Sequence, residues 1–336
     1  MTVAEPVAEQ ITPLIDGGRG VRLRHPVRST DGFDTIAVTE LQLPEGTPPA
    51  GGWPVVVHGH GTNGLGPLTT PEHRPRPPEE NDYLAGLLAR GWAVVAPDYL
   101  IVNGIHSYLD GPDEALAMVR GLQAARRHEP LLSRKWLSTG GSQGGHAALW
   151  AGYRAPELAP ELELAGVVAL CPASQLDWIF GLIGPRTPAW IAAGCGSPLL
   201  MVAAAADVVR PDLRVSDSFT PLGQRVLREI RELEIFEIME LVSGFEVPSL
   251  LRHPAGRGGL GRQLRERVAV PTAIPAPVRI LQGWRDTSVP LPLTIGLAVS
   301  LRRQGVDVGV RVVDSGHGDI VTRGARARAL MAGLLT

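Results

Sequence analysis

Apolar runs alternate with amphipathic segments along most of the chain, and this alternation predicts buried strands flanked by helices. Runs that are apolar throughout are typical of strands buried on both faces of a parallel sheet. Strands are predicted at 53–57, 93–96, 135–139, 164–170, 278–281 and 308–313, and helices at 79–90, 114–128, from 146 onwards, 291–304 and 320–335. The succession of strand and helix predicts an α/β fold, a doubly wound and mostly parallel sheet with right-handed crossovers.

The N-terminal part follows another pattern. Residues 1–18 predict a poorly structured lead-in. Segments 21–27 and 35–43 alternate partly and flank the turn-forming residues 29–32. This arrangement predicts an antiparallel hairpin at one edge of the sheet.

A long interruption separates the strands at 164–170 and 278–281. Residues 172–270 contain no convincing strand, and apolar positions in Leu222–Val242 recur at spacings of three to four. We interpret 172–270 as a helical cap or lid inserted into a catalytic domain formed by 1–171 and 271–336. Arg252–Arg267 is rich in arginine and glycine and lacks interleaved aromatic residues, so a mobile loop is predicted there rather than a nucleic-acid tract.

Composition excludes several classes of protein. The 336 residues carry a net charge of −2, which gives no electrostatic case for binding nucleic acid. No apolar run approaches the roughly 20 residues that cross a bilayer, so stable membrane insertion is not expected. The N-terminal stretch has acidic residues and no basic region before an apolar run, which predicts a cytoplasmic protein. No oligomeric state is predicted.

The first candidate for a catalytic site is a glycine-rich turn after the strand at 135–139. Gly140 to Gly144 reads Gly-Gly-Ser-Gln-Gly, and helix-forming residues follow from His146. This is the pattern G-x-S-x-G in a strand–turn–helix setting, where a tight turn exposes the serine hydroxyl beside the N–H groups of a helix. Forty glycines make chance matches common, so Ser142 is predicted as a nucleophile only if its partners follow.

A serine nucleophile needs a base, and the base needs a group that orients it. Asp286 follows the strand at 278–281, and His317 follows the strand at 308–313 between two glycines. The order Ser142, Asp286, His317 is the order of a Ser-acid-His triad in this kind of sheet. Asp98 also follows a strand but precedes the serine, and Asp314 lies too close to His317 in sequence for the usual geometry of such a pair.

Acyl transfer also requires donors for the negative oxygen of the tetrahedral intermediate. One is predicted to be the backbone N–H of Gln143. The second is predicted in the loop His58-Gly59-His60-Gly61-Thr62, with Thr62 preferred and Gly61 as the alternative. His60 and Gly61 are also candidates for contact with substrate. We expect no metal or cofactor, because no third ligand accompanies the two histidines and the two cysteines are too few for a cluster. Cys171 and Cys195 either form one disulfide or remain separate buried thiols.

Several segments together resemble the α/β hydrolases and, more narrowly, the bacterial branch of the secretory lipase family. They are HGHGTNG at 58–64, GWAVVAPDY at 91–99, HSYL at 106–109, GGSQGGHAALWAG at 140–152, QGWRDTSVP at 282–290 and GHG at 316–318. The resemblance implies an esterase or lipase with Ser142, Asp286 and His317 as the triad. The N-terminal stretch departs from the secretory character of that family.

The leading hypothesis is therefore a serine carboxylester hydrolase acting on a small-molecule ester through an acyl-enzyme. An acyltransferase, thioesterase or peptidase would use the same triad with a different second substrate. A catalytically inactive binding protein would be expected to have lost a triad member, and none is missing. In the cap, Trp178 and Phe180 and their apolar neighbours either line an acyl pocket or pack within the cap.

Overall fold

The computed structural model describes residues 5–192 and 194–335. Its strands, in chain order, are β1 (Val7–Ile11), β2 (Arg19–Arg28), β3 (Asp34–Leu43), β4 (Trp53–Gly59), β5 (Ala93–Pro97), β6 (Ile101–Val102), β7 (Ile105–His106), β8 (Leu132–Gly141), β9 (Glu163–Leu170), β10 (Val278–Gly283) and β11 (Val308–Val313). Within the described residues, nine of them form one sheet in the order β1-β2-β3-β5-β4-β8-β9-β10-β11. The strands from β5 to β11 in this order are parallel, whereas β1, β2 and β3 are antiparallel. The predicted fold class is confirmed.

The helices are α1 (Pro78–Leu88), α2 (Gly111–His128), α3 (Gln143–Leu158), α4 (Leu176–Leu182), α5 (Ala189–Ala192), α6 (Gly196–Val209), α7 (Pro221–Glu229), α8 (Ile235–Ser243), α9 (Val247–Leu250), α10 (Gly258–Gln263), α11 (Leu291–Arg303) and α12 (Gly324–Leu335). Successive residues of β4 belong to different layers because side chains alternate along a strand. Val55 and Val57 join the apolar cluster that contains α2 and α3, and Val56 joins the cluster that contains α1 and α12. The sheet is thus covered on both faces.

Between β9 and β10, the described residues form helices α4 to α10 and turns, with no strand of the main sheet. This agrees with the predicted helical insertion, and the exact boundaries at 172 and 270 stay a prediction. Two kinds of contact hold the insertion on the sheet. Gly64 in the loop after β4 forms a β-bridge with Glu234. Arg267 donates hydrogen bonds to Asp110, at the start of α2, and to Asp31, in the β2–β3 turn.

Two predictions of local structure were wrong. The lead-in contains β1, whose side chains are mostly exposed, so its strand character comes from backbone pairing with β2 rather than from an apolar pattern. Residues 252–267 are not a loop throughout, because they contain α10 and most of a π-helical turn at Leu264–Val268. The helical spacing over Leu222–Val242 corresponds to two helices, α7 and α8, with a 3₁₀ turn at Ile230–Glu232 between them.

Candidate active site

Ser142 lies between the end of β8 and the first residue of α3, with φ 55° and ψ −115°. This conformation is strained for a residue with a side chain. Neighbouring glycines make the turn possible by close approach. A Cβ on Gly144 would lie 1.9 Å from the carbonyl oxygen of Gly59, and one on Gly140 would lie 2.4 Å from the carbonyl oxygen of Gly144. The spacing of glycine and serine seen in the sequence is therefore required by the packing of β8 and α3 against β4.

The structure brings Ser142, His317 and Asp286 together. Nε2 of His317 lies 2.8 Å from Oγ of Ser142, and Nδ1 of His317 lies 2.7 Å from Oδ2 of Asp286. Since Nδ1 faces a carboxylate, it carries the hydrogen, which leaves Nε2 free to accept the proton of the serine hydroxyl. Asp286 follows β10 and His317 follows β11, so two neighbouring parallel strands end beside the nucleophile.

Asp286 is held in a fixed orientation by its surroundings. Its Oδ1 accepts hydrogen bonds from the backbone N–H groups of Ser288, at 2.9 Å, and Val289, at 2.8 Å. Its Oδ2 also accepts a bond from the side-chain amide of Gln282, at 3.1 Å. Burial raises the pKa of Asp286, but the hydrogen bonds from His317 and these N–H groups outweigh it, so the pKa is lowered and the group is a carboxylate.

Gln282 is a supporting residue that the sequence did not reveal. It is fully buried on β10, its Nε2 also donates to the carbonyl oxygen of Val289, and its Oε1 accepts a bond from Thr294 on α11. Glutamine carries no signal for such a role by itself. The trace in the sequence is a polar residue directly after the apolar pair Ile280 and Leu281, and such a residue requires partners when buried.

The thiol of Cys171, directly after β9, lies beside the His317–Asp286 pair. Burial lowers the pKa of His317, but the hydrogen bond to Asp286 and then the Cys171 thiol outweigh it and raise the pKa above its ordinary value. Ligand atoms of Cys171, Asp286 and His317 lie within 4.8 Å of one another. These are the side chains that could hold a metal, although His317 and Asp286 already bind each other. Cys171 and Cys195 are unpaired.

The loop after β4 is positioned by a buried pair, His60 and Asp98. Nε2 of His60 lies 3.1 Å from Oδ1 of Asp98, at the end of β5, and Nδ1 lies 2.7 Å from the carbonyl oxygen of Gly61. Burial lowers the pKa of His60, but the hydrogen bond to Asp98 outweighs it and raises the pKa. Asp98, excluded from the triad by its place in the chain, thus fixes this loop, and His60 is buried rather than open to a substrate.

The loop after β4 packs against the nucleophile turn, because a Cβ on Gly144 would lie 1.9 Å from the carbonyl oxygen of Gly59 and 2.9 Å from that of His60. The N–H of Gln143 belongs to the first residue of α3, where the helix itself offers no acceptor. Among the described residues, the N–H groups of Gly61 and Thr62 have no hydrogen-bond partner. The hydroxyl of Thr62 lies 3.4 Å from the hydroxyl of Tyr108. Gln143 as one oxyanion donor, and the choice between Thr62 and Gly61 as the other, stay predictions.

The two cap residues predicted to contact substrate differ strongly in burial. The Phe180 side chain is 0% exposed and packs in the main apolar core, whereas Trp178 is 61% exposed at the surface. An apolar cleft of about 480 Å³ does exist in the cap, between α5 and α8, and it is lined by Trp190, Met239 and Phe245 among others. None of its lining residues belongs to the triad.

Comparison with known proteins agrees with this geometry. A family model described as "Secretory lipase" matches residues 79–187. Lipase 7 of Candida albicans is 33% identical over 92 residues, which is 26% of this chain and 21% of that protein. The chain therefore matches about a fifth of the length of this relative. The chain is an α/β hydrolase by fold and resembles the secretory lipases. The predicted resemblance is confirmed, and the predicted class of enzyme, a carboxylester hydrolase, agrees with the names of these relatives.

Solved structures of lipases and esterases share the fold of this chain. Candida antarctica lipase A in its closed state superposes with a TM-score of 0.79 at 17% identity, over 99% of this chain and 83% of that chain. The rice cell wall degrading esterase LipA of Xanthomonas oryzae superposes with a TM-score of 0.72 at 18% identity, over 98% of each chain. At these identities the likeness establishes the fold alone.

The comparisons overturn the predicted location. A cytoplasmic protein was expected from the N-terminal stretch, but the matching family is one of secretory lipases, which points to an extracellular protein. The absence of a recognisable basic and apolar N-terminal region was too weak an argument against this family match. None of the helices in the described part of the hydrolase combines the length and apolar character needed to cross a bilayer.

Proposed function

We propose that this protein is a serine carboxylester hydrolase that cleaves small-molecule esters through an acyl-enzyme. The observation that carries the proposal is the pair of contacts made by His317, one to the Ser142 hydroxyl and one to the Asp286 carboxylate. Three side chains from distant parts of the chain meet in the geometry of a nucleophile, its base and the group that orients the base.

Acylation follows from this arrangement. Oγ of Ser142 attacks the ester carbonyl carbon while its proton passes to Nε2 of His317. The carbonyl oxygen becomes negative and accepts hydrogen bonds from the backbone N–H groups of Gln143 and Thr62, each worth about 3 kcal/mol in the transition state. The bond to the alcohol oxygen then breaks, and His317 gives its proton to the leaving alcohol. Asp286 stabilises the positive ring of His317 while it holds that proton.

Deacylation repeats the chemistry with water. His317 removes a proton from a water molecule, whose oxygen attacks the acyl carbon and again forms a tetrahedral oxyanion. The bond to Oγ of Ser142 breaks, the serine recovers its proton from His317, and the carboxylic acid leaves. The insertion at 172–270 is proposed to act as the cap over this site, because its residue Glu234 pairs with the loop that holds Thr62.

The test uses p-nitrophenyl esters of increasing acyl length with the wild-type hydrolase and Ser142→Ala. We expect wild-type turnover and a loss on the order of 10⁶-fold in kcat for the variant, because removal of the nucleophile abolishes the covalent route. Single acylation of the wild type without turnover would favour an acyltransferase. Equal inertness of both folded proteins would overturn the proposal in favour of a binding protein.

A further inference from the structure

A buried carboxylate lies behind the nucleophile turn and takes no part in the mechanism above. Glu114 on α2 is 0% exposed. Its Oε1 accepts a hydrogen bond from the side-chain amide of Gln143, at 2.8 Å, and its Oε2 lies 2.5 Å from Nδ1 of His146. Gln143 and His146 belong to the segment that follows Ser142. One carboxylate on α2 therefore binds two side chains of the first turn of α3.

His146 connects Glu114 to the end of the insertion. One ring nitrogen, Nδ1, lies against Oε2 of Glu114, and the other, Nε2, lies 3.0 Å from the carbonyl oxygen of Val268. Such a fully buried, charge-assisted pair is costly to desolvate, and apolar side chains often replace it without loss of stability. Its presence calls for a role in geometry rather than in stability.

The geometry at stake is the orientation of the peptide group that joins Ser142 to Gln143. A peptide group is planar, so the carbonyl of Ser142 and the N–H of Gln143 turn together. The carbonyl oxygen accepts hydrogen bonds from the N–H groups of His146, at 3.1 Å, and Ala173, at 3.0 Å. The side chain of the next residue, Gln143, is held by Glu114. The strained backbone of Ser142 thus depends on neighbours to keep its orientation.

We propose that Glu114 and His146 are positioning residues, which hold the Gln143 peptide so that its N–H points at the oxyanion. The inference rests on the proposed function, because Gln143 is assigned there as an oxyanion donor. Since His146 also binds Val268, in the last turn of the insertion before β10, the same pair connects the end of the cap to the nucleophile turn.

Glu114→Gln tests the proposal with a side chain of equal size. The new amide can accept from only one of its two former donors and presents N–H groups to the other. We expect kcat to fall about 10- to 100-fold, somewhat less than the loss of a whole oxyanion donor, with KM changed less than about twofold. Binding of a boronic acid that mimics the tetrahedral intermediate should weaken by the same factor as kcat/KM.

Glu40→Gln is the matched control. Glu40 on β3 is also a buried glutamate with a partner on each oxygen, because it accepts hydrogen bonds from Arg22 and Arg76. It is expected to leave kcat and boronic acid binding within about twofold of the wild type, so any loss specific to Glu114→Gln is not a general effect of neutralising a buried glutamate.

Gln143→Ala keeps the inference testable if Glu114→Gln does not fold. This variant retains the backbone N–H and removes the bond to Glu114, together with a longer contact of 3.4 Å to Nε2 of His106, so a similar fall in kcat is expected. The double variant should lose no more than the larger single loss, because the two changes break one connection. Wild-type inertness would refute the proposed function itself. An active wild type with kcat unchanged in Glu114→Gln or in Gln143→Ala would refute only the positioning role.

Discussion

The carboxyl edge of the sheet and the inserted cap are organised in different ways. Along the sheet, the loops after β8, β10 and β11 bring Ser142, Asp286 and His317 to one place because parallel strands end at the same edge. In the cap, the position of each side chain depends on packing between short helices that are distant in sequence. Candidate catalytic residues on a parallel sheet can therefore be proposed from chain order, whereas candidate substrate contacts in a cap cannot.

The sharpest contrast is expected from Asp286→Asn, a change at the sheet edge that keeps size and removes charge. The amide would favour the wrong tautomer of His317, so kcat for ester hydrolysis should fall about 10⁴-fold while the fold persists. Steady-state kinetics and thermal unfolding measure the two effects separately. A fall of less than tenfold in a folded variant would show that Asp286 is not the residue that orients the base.

In the cap, Phe180→Ala and Trp178→Ala form a pair within one helix. Phe180 is fully buried in α4, so its truncation should lower the free energy of unfolding by about 3–5 kcal/mol. Trp178 is largely exposed, so its truncation should change stability by less than about 0.5 kcal/mol. Denaturant unfolding compares the two variants. Equal losses would mean that the division of α4 into a buried and an exposed face is wrong.

A smaller effect is expected where β9 meets the triad, in Cys171→Ala. Catalysis needs His317 in its neutral form, so kcat/KM rises with pH as this group loses its proton. Because the pKa of His317 is raised, the midpoint of this acidic limb of the pH profile should lie above 6.5, the ordinary pKa of histidine. Removal of the thiol takes away one cause of the increase, so the limb should move to lower pH by about one unit or less.

Cys195→Ala is the matched control for this shift, because Cys195 is an unpaired cysteine just before α6. The pH profile of this variant should coincide with that of the wild type. A limb that stays in place in Cys171→Ala, or moves to higher pH, would show that the thiol does not raise the pKa of His317.

The same contrast explains how much could be predicted. Asp286 and His317 follow strands that are visible as largely apolar runs, Ser142 follows the short strand predicted at 135–139, and the structure brings all three together. The residues behind them were missed because a buried polar side chain is recognised only through its partner. Glu114 looks like any helical glutamate until it meets His146, which lies 32 positions further along the chain.

Histidines show the limit most clearly. His25 and His106 are both buried. Burial lowers the pKa of His25 to about 4, and it lowers the pKa of His106 to about 3. Nothing in the residues beside them indicates this, since the environment is supplied by strands and loops from elsewhere in the chain. The local sequence pattern predicts helices and strands, whereas the burial and the pKa of a polar group depend on tertiary packing.

Covalent labelling with a fluorophosphonate, followed by mass spectrometry of the digested protein, tests most directly whether Ser142 is an activated nucleophile. We expect one phosphonylated residue, Ser142, with labelling abolished in Ser142→Ala and strongly slowed in Asp286→Asn. Because the adduct is tetrahedral, it also occupies the oxyanion hole formed with Gln143. A folded wild-type protein that stays unlabelled, or carries the label on another residue, would contradict the proposed triad of Ser142, His317 and Asp286.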